Sequence, residues 1–440
     1  HPIPRRQRQM CIRDSTPRKR NHNVCKDDLC RLIRKLAVSL LITSWLLTSC
    51  GRIGSEMPVL LYLAIAIDKD ANIETSTQAD FRRRVELIAD DYRKIHPHVQ
   101  LQFELYEHSK LLRELKRRDA SDLGPDLIIT DTLQAHQLFA AGLTDAVPLS
   151  EAKRLDTETS LWERVMLSNG EIVAQPIVIF PQIACFNKTA INTAPATLSA
   201  LQQLGMAGAR VGLPVTFTEL LWTAGSLGAL SSLARAGDGD TLSTQNIQSI
   251  QNWIQWLENA SAQNNITFFK DQGQLEKLLK EEELDWVTCN ANSLPRLREV
   301  LGDKLAVSAL PEGPSGAASP VNDVRVLALG SNSSPRQRAV AINLTYYITN
   351  AMIQRNLSLR SLAFLPVNPN VDVTDSTSTT LTTLAASKKA ATQHEEDLAG
   401  LVHQVDLSSQ INPTLIPLIF GDSTPQSSAD ALIQSLQRRP

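Results

Sequence analysis

Nowhere in its 440 residues does the chain hold about 20 consecutive apolar residues, so no segment has the length of a membrane span. It also lacks the G-x-S-x-G turn of a nucleophilic serine and the G-x-x-x-x-G-K loop that cradles phosphates. No histidine lies between His136 and His394, which leaves few bases for a catalytic triad. The carboxylates of "EEEL" and "GDGD" read as surface and turn rather than as an opposed catalytic pair. A basic footprint for nucleic acid is missing from the body: beyond Ser49, 33 Lys/Arg face 43 Asp/Glu, a net of minus ten. The first 49 residues are the reverse, with eleven Lys/Arg against three Asp/Glu. No internal repeat with a period of about 20 to 50 residues is visible. Cysteine is scarce, and past Cys50 only Cys185 and Cys289 remain. In an oxidising compartment these two are able to pair, but a separation of 104 residues leaves the matter open.

Metal-ligand spacing is equally thin. His96-x-His98 straddles Pro97 with no third ligand in view, and His394-Glu395-Glu396 lacks the second histidine of a zinc protease. Tyr346-Tyr347, the adjacent tyrosines of a ferric-ion binder, sits in a stretch whose Ala341, Leu344 and Ile348 form a helical packing stripe. No metal, no cofactor and no enzymatic activity are expected.

What is present begins at the amino end. Met10-Cys11-Ile12-Arg13-Asp14-Ser15 resembles the translation of a transposon end used in sequencing libraries, so residues 1–15 are set aside. Arg31, Arg34 and Lys35 then precede Leu36 to Leu47, a short apolar run interrupted by Ser39, Thr43 and Ser44. A positive region, an apolar stretch of this length and small residues before a cut site describe a secretory signal over 16–49. Leu47-Thr48-Ser49-Cys50 resembles the bacterial lipobox, which implies a diacylated Cys50 as the new amino terminus, 50–57 as an anchor linker, and attachment to the outer face of a membrane.

The exported body alternates strand and helix. "PVLLYLAIAID" reads as a buried strand; Phe81, Val85, Ile88, Tyr92 and Ile95 form an amphipathic helix ended by Pro97; Val99 to Leu105 alternates as a half-buried strand. A helix from Ser109 to Arg118, a strand from Asp126 to Thr130 and a helix ending at Gly142 follow. The pattern predicts an α/β domain with a largely parallel sheet. A second series runs through "IACFNK", "ARVGLPV", a helix from Thr218, the Ile247 to Leu257 stripe, "DWVTCN" and Leu305 to Leu310. After the loop "PEGPSGAASP" come "VRVLALG" and a helix from Pro335 to Asn350. Thr374 to Thr383 reads as a polar loop before a last helix or two.

Several segments line up with one family. "GPDLIITDTLQAHQLFAAGLTDAVPLS", "NGEIVAQPIVIFPQIACFNKTAINTAPATLSAL", "LAVSALPEGPSG" and "LAFLPVNPNV" resemble, in order and spacing, segments of the extracellular solute-binding proteins of sugar ABC importers, the family of maltose-binding protein. The resemblance implies a type II periplasmic-binding-protein-like fold: two α/β lobes, 58–178 with 312–363 and 183–311 with 366–440, joined by crossing hinge segments with the ligand cleft between them. It also implies a monomer that captures a sugar or polyol by lobe closure and delivers it to a permease driven by a cytoplasmic ATPase. An anchored glycoside hydrolase and a ligand-free lipoprotein scaffold are the alternatives.

Candidate ligand residues follow from that family's loops and from sugar chemistry, which needs amides or carboxylates for hydroxyls and rings for C–H faces. They are Asp68, Lys69 and Asp70 after the first strand, and Asp131, which is equally placed to cap a helix. Phe180 and Gln182 stand at the first crossing, where the maltose binder has a glutamate and this chain has Phe180. Trp222, Asn290, Asn292 and Asn322, the last before Asp323 on the second crossing, complete the set, while Trp253, Trp256 and Trp286 read as packing.

Overall fold

A computed structural model of the protein describes residues 57–67, 75–374, 377–402 and 407–438. The expected signal segment, Cys50 and the Asp68, Lys69, Asp70 loop lie outside the described residues.

Strand β1 (Val59–Ala66) is buried throughout its second half, as a strand covered on both faces must be. Helix α1 (Thr75–Ile95) packs Phe81, Val85, Ile88 and Tyr92 of the predicted stripe on the first core, leaves Ile95 exposed, and stops just short of Pro97, which cannot continue a helix and restrains the residue before it. β2 (Val99–Tyr106), α2 (His108–Asp119), β3 (Leu127–Asp131), α3 (Thr132–Ala140), β4 (Thr144–Asp145), the short α4 (Glu151–Arg154) and α5 (Thr159–Glu163), and β5 (Gln175–Phe180) complete the first pass. The chain then crosses over at Pro181. It builds β6 (Gln182–Asn187), α6 (Leu198–Met206), β7 (Val211–Pro214), α7 (Phe217–Ser226), α8 (Leu230–Gly237), α9 (Thr244–Ser261), β8 (Ile266–Phe269), α10 (Gln272–Lys280), β9 (Trp286–Asn290), α11 (Leu294–Leu301) and β10 (Leu305–Ser308). A second crossing returns it to β11 (Asp323–Gly330), α12 (Pro335–Thr349) and α13 (Ala351–Ser361). A third leads to α14 (Thr379–Thr392), α15 (Glu395–Val402), α16 (Leu407–Ile419) and α17 (Pro425–Gln437).

Each lobe has its own sheet. The first runs β2-β1-β3-β11-β4, with β5 also paired to β11; the second runs β10-β6-β9-β7-β8. β1, β2 and β3 are parallel, as are β7, β8 and β9. β11 is antiparallel to β3 and β5, and β6 is antiparallel to β9, so both sheets are mixed rather than largely parallel. The cause is the crossings. A chain arriving from the other lobe enters at the carboxyl ends of the parallel strands and has to run against them.

Two further expectations change. The polar loop ends early, because Ser378 accepts a hydrogen bond from the Leu381 N–H and starts α14 inside it. The tail holds four helices rather than one or two: α14 packs on β6 and β10, and the other three pack on α7, α8 and α9 through Leu398, Leu401, Ile411, Leu415 and Leu432. Cys185 and Cys289 form a disulfide, Cα to Cα 5.8 Å, that staples β6 to β9 inside the core. Among the described residues no helix is long and apolar enough to cross a membrane.

Candidate functional site

In open α/β sheets ligands settle outside the carboxyl ends of the parallel strands. Here those ends face one another. β1, β3 and β5 finish at Ala66, Asp131 and Phe180, beside the first crossing; β7, β8 and β9 finish at Pro214, Phe269 and Asn290, and Asn290 stands opposite Gln182 on the far side of the same crossing.

On the first wall Asp131 is buried, and both carboxylate oxygens are engaged. Oδ1 accepts the Gln134 N–H at 2.8 Å, capping α3, and Oδ2 pairs with His108 Nε2. The cap, rather than a ligand contact, accounts for its position. Arg325 stands opposite it in the β3–β11 ladder.

Phe180 is not available for stacking. It is 7% exposed and packs edge-to-face on Phe364 of the third crossing, ring centroids 6.1 Å apart, because the strand that carries it is paired on β11 and bridged to Leu365. Gln182 is also buried, and its amide ties the crossings together. Nε2 donates to the Glu219 carbonyl at 2.9 Å and to its carboxylate at 3.0 Å, Oε1 accepts the Val321 N–H at 3.0 Å, and its own carbonyl accepts from Ser387 Oγ at 2.6 Å. It is a hinge knot, not a free contact.

Trp222 is fully buried in the second core, and its carbonyl accepts the Ser319 N–H of the second crossing at 3.4 Å. Asn292 is buried, accepting from Ser293 Oγ at 3.1 Å. Among the candidates, Trp222 leaves a donor, Nε1, without a partner, while Asn290 and Asn322 are the two that leave an acceptor. Their Oδ1 atoms are buried with no hydrogen-bond partner in the protein. They flank the Gln182 knot: Asn290 across the ladder, Asn322 next to the Val321 that Gln182 holds. A carboxamide oxygen left this way is costly unless something donates to it.

Two residues that sequence reasoning missed shape this floor. Glu219 holds Gln182, and Arg164, after α5, donates from Nη1 to the Asn322 carbonyl at 3.1 Å and pairs with Glu395 at 3.3 Å. Burial pulls the Arg164 pKa down from its ordinary value, and Glu395 acts against that. Only Glu219, an acid in the first turn of a helix at a strand end, carried a local signal.

The fold is that of the two-lobed solute-binding proteins. The chain is similar to the GacH receptor of Streptomyces glaucescens, solved unliganded and with acarbose, at 13% identity and a TM-score of 0.65, over 86% of this chain and 97% of that one. It is similar as well to a cyclo/maltodextrin-binding protein holding maltotetraose, at 14% identity and a TM-score of 0.61 over 87% and 98% of the two chains. A third similar structure is an ABC transporter solute-binding protein of Thermotoga lettingae with α-D-tagatose bound, at 13% identity and a TM-score of 0.61 over 86% and 99%. No family model matches the sequence, and no curated protein does.

Proposed function

We propose that the protein is the substrate-binding component of an ABC importer, capturing a sugar or polyol between its lobes and passing it to a permease. The observation that carries this reading is the pair of unpartnered oxygens, Asn290 and Asn322 Oδ1, at the junction of the two facing strand ends. Both are acceptors, and a ligand hydroxyl is a donor. The neighbours with this fold hold acarbose, maltotetraose and tagatose at identities of 13 to 14%, which supports a carbohydrate ligand for this chain. Capture needs no bond made or broken: a ligand that touches both walls favours the closed state by its differential contacts, and release follows opening.

Lipidation at Cys50 belongs to the same proposal, since a tethered binder stays near its permease. The buried disulfide supports passage through an oxidising compartment, where such bonds persist. The test is a thermal-shift screen over saccharides and polyols: a ligand at about 100 times its Kd adds about 2.7 kcal/mol to stability. Small-angle scattering checks closure. A hit that compacts the chain supports capture, whereas turnover of a glycoside replaces capture by hydrolysis.

A further inference from the structure

We infer that the ligand is a compact polyhydroxyl compound, a monosaccharide or an open-chain polyol, and not an oligosaccharide; the inference rests on the proposed capture of a sugar and narrows it. The two ligand classes ask for different walls. A chain of several sugar rings presents successive flat C–H faces and needs successive aromatic rings, preferably Trp or Tyr, along the cleft. A compact polyol presents mainly hydroxyls and needs hydrogen-bonding groups converging on one place.

The tryptophans and tyrosines of the body, the rings best suited to stacking on a sugar, are engaged elsewhere. Of the six tryptophans, Trp45 precedes the described residues; Trp222, Trp253 and Trp286 are sealed in the second core, Trp256 packs against that core, and Trp162 is buried with Nε1 donating to the Arg154 carbonyl. The five tyrosines are equally committed. Tyr62 and Tyr106 hydroxyls share Glu104, Tyr92 and Tyr347 pack edge-to-face, and the Tyr346 hydroxyl donates to the Pro148 carbonyl. Among the described residues, the strand ends offer Tyr106 of β2, which is buried with its hydroxyl on Glu104, and otherwise phenylalanines. Phe180 is locked on Phe364, Phe217 is fully buried, and Phe269 ends β8, the edge strand farthest from the first crossing. The segments outside the described residues within the body, 68–74, 375–376 and 403–406, contain no Trp, Tyr or Phe in their sequence.

Against this poverty of rings, the unpartnered acceptors Asn290 and Asn322 both flank Gln182, one across the β6–β9 ladder and the other next to Val321. An oligosaccharide lying across the mouth would reach neither stacking surface nor row of acceptors. A single small ligand that descends to the crossing meets both.

The test is calorimetry and thermal shift on the exported chain with D-glucose, D-xylose, D-tagatose, D-mannitol and myo-inositol, set against maltotriose, maltotetraose and xylotriose. At least one compact ligand is expected to bind at least tenfold more tightly than every oligosaccharide. Asn290→Ala and Asn322→Ala are each expected to weaken that ligand about three- to tenfold. An oligosaccharide that binds tenfold more tightly than all the compact ligands overturns the inference and leaves sugar capture standing. Silence from both classes overturns sugar capture itself. Tight compact binding unaffected by either substitution removes the two carboxamides from the site and with them the inferred floor.

Discussion

Asp131 shows how one residue type serves two readings until its partners are known. Its oxygens are spent on the Gln134 N–H and on His108, so Asp131→Ala is expected to cost about 1–2 kcal/mol as a lost cap. Thermal melting measures that loss, while ligand Kd stays within a factor of two; a large Kd change with no loss of stability would return Asp131 to the site. Asn290 is the opposite case. Its Oδ1 makes no internal bond, so Asn290→Ala is expected to leave the melting temperature nearly unchanged while weakening ligand. Asp285 carries a pH dependence. Burial works to raise its pKa, but hydrogen bonds from the Arg210 side chain and backbone outweigh it and hold the carboxyl below its usual range. A depressed folded-state pKa gives stability that is whole above the unfolded value of about 3.9 and is lost as pH falls through the folded one. The stability gap between the protein and Asp285→Asn, followed by denaturant melts, is therefore expected to be full at neutral pH and to shrink in strong acid. A gap that is constant with pH removes the ion pair as its cause.

Among the elements, the β6–β9 pair is the one most dependent on a covalent link. The disulfide closes a loop of 104 residues, and by the chain-entropy account its removal costs about 2–5 kcal/mol. Melting of the Cys185→Ala, Cys289→Ala double variant, or of reduced protein, is expected to come several degrees earlier. α7 depends on a missing side chain instead. The second crossing lies so close on it that a Cβ at Gly225 would fall 1.9 Å from Ser319 Oγ and 2.9 Å from the Ser319 backbone nitrogen. That approach is what brings Val321 to Gln182 and sets Asn322 at the floor.

At the scale of the whole molecule, the lobes are held by charge as well as by the crossings. Arg164 of the first lobe pairs with Glu395 on α15, and Glu158 of the first lobe pairs with Lys388 on α14; both helices pack on the second lobe. The second pair borders a pocket of about 330 Å³ walled by Leu365, Pro366 and Val371 of the third crossing. These four side chains are mostly shielded, so each pair has more weight than an exposed one. Glu395→Gln is expected to shift the ligand-free chain toward a more open form, seen as a larger radius of gyration in solution scattering, and to change ligand affinity by up to about tenfold through the closure equilibrium. An unchanged radius and an unchanged affinity together would falsify a latch.

The features legible along the chain are those that depend on near neighbours. The stripe at Phe81, Val85, Ile88, Tyr92 and Ile95, the alternation of β2 and the breaker at Pro97 state their elements directly, since periodicity and backbone restriction act within a few residues. Their order, with its family resemblance, was enough to expect two lobes. The tertiary structure alone decided which way β6 and β11 run, that Phe180 and Trp222 are packed away, that Cys185 meets Cys289, and that Gln182 is a knot while Asn290 and Asn322 keep unpartnered oxygens. Each of these depends on contacts between segments far apart in the chain, and whether a polar or aromatic side chain is free for a ligand is settled by what those distant segments leave unpaired.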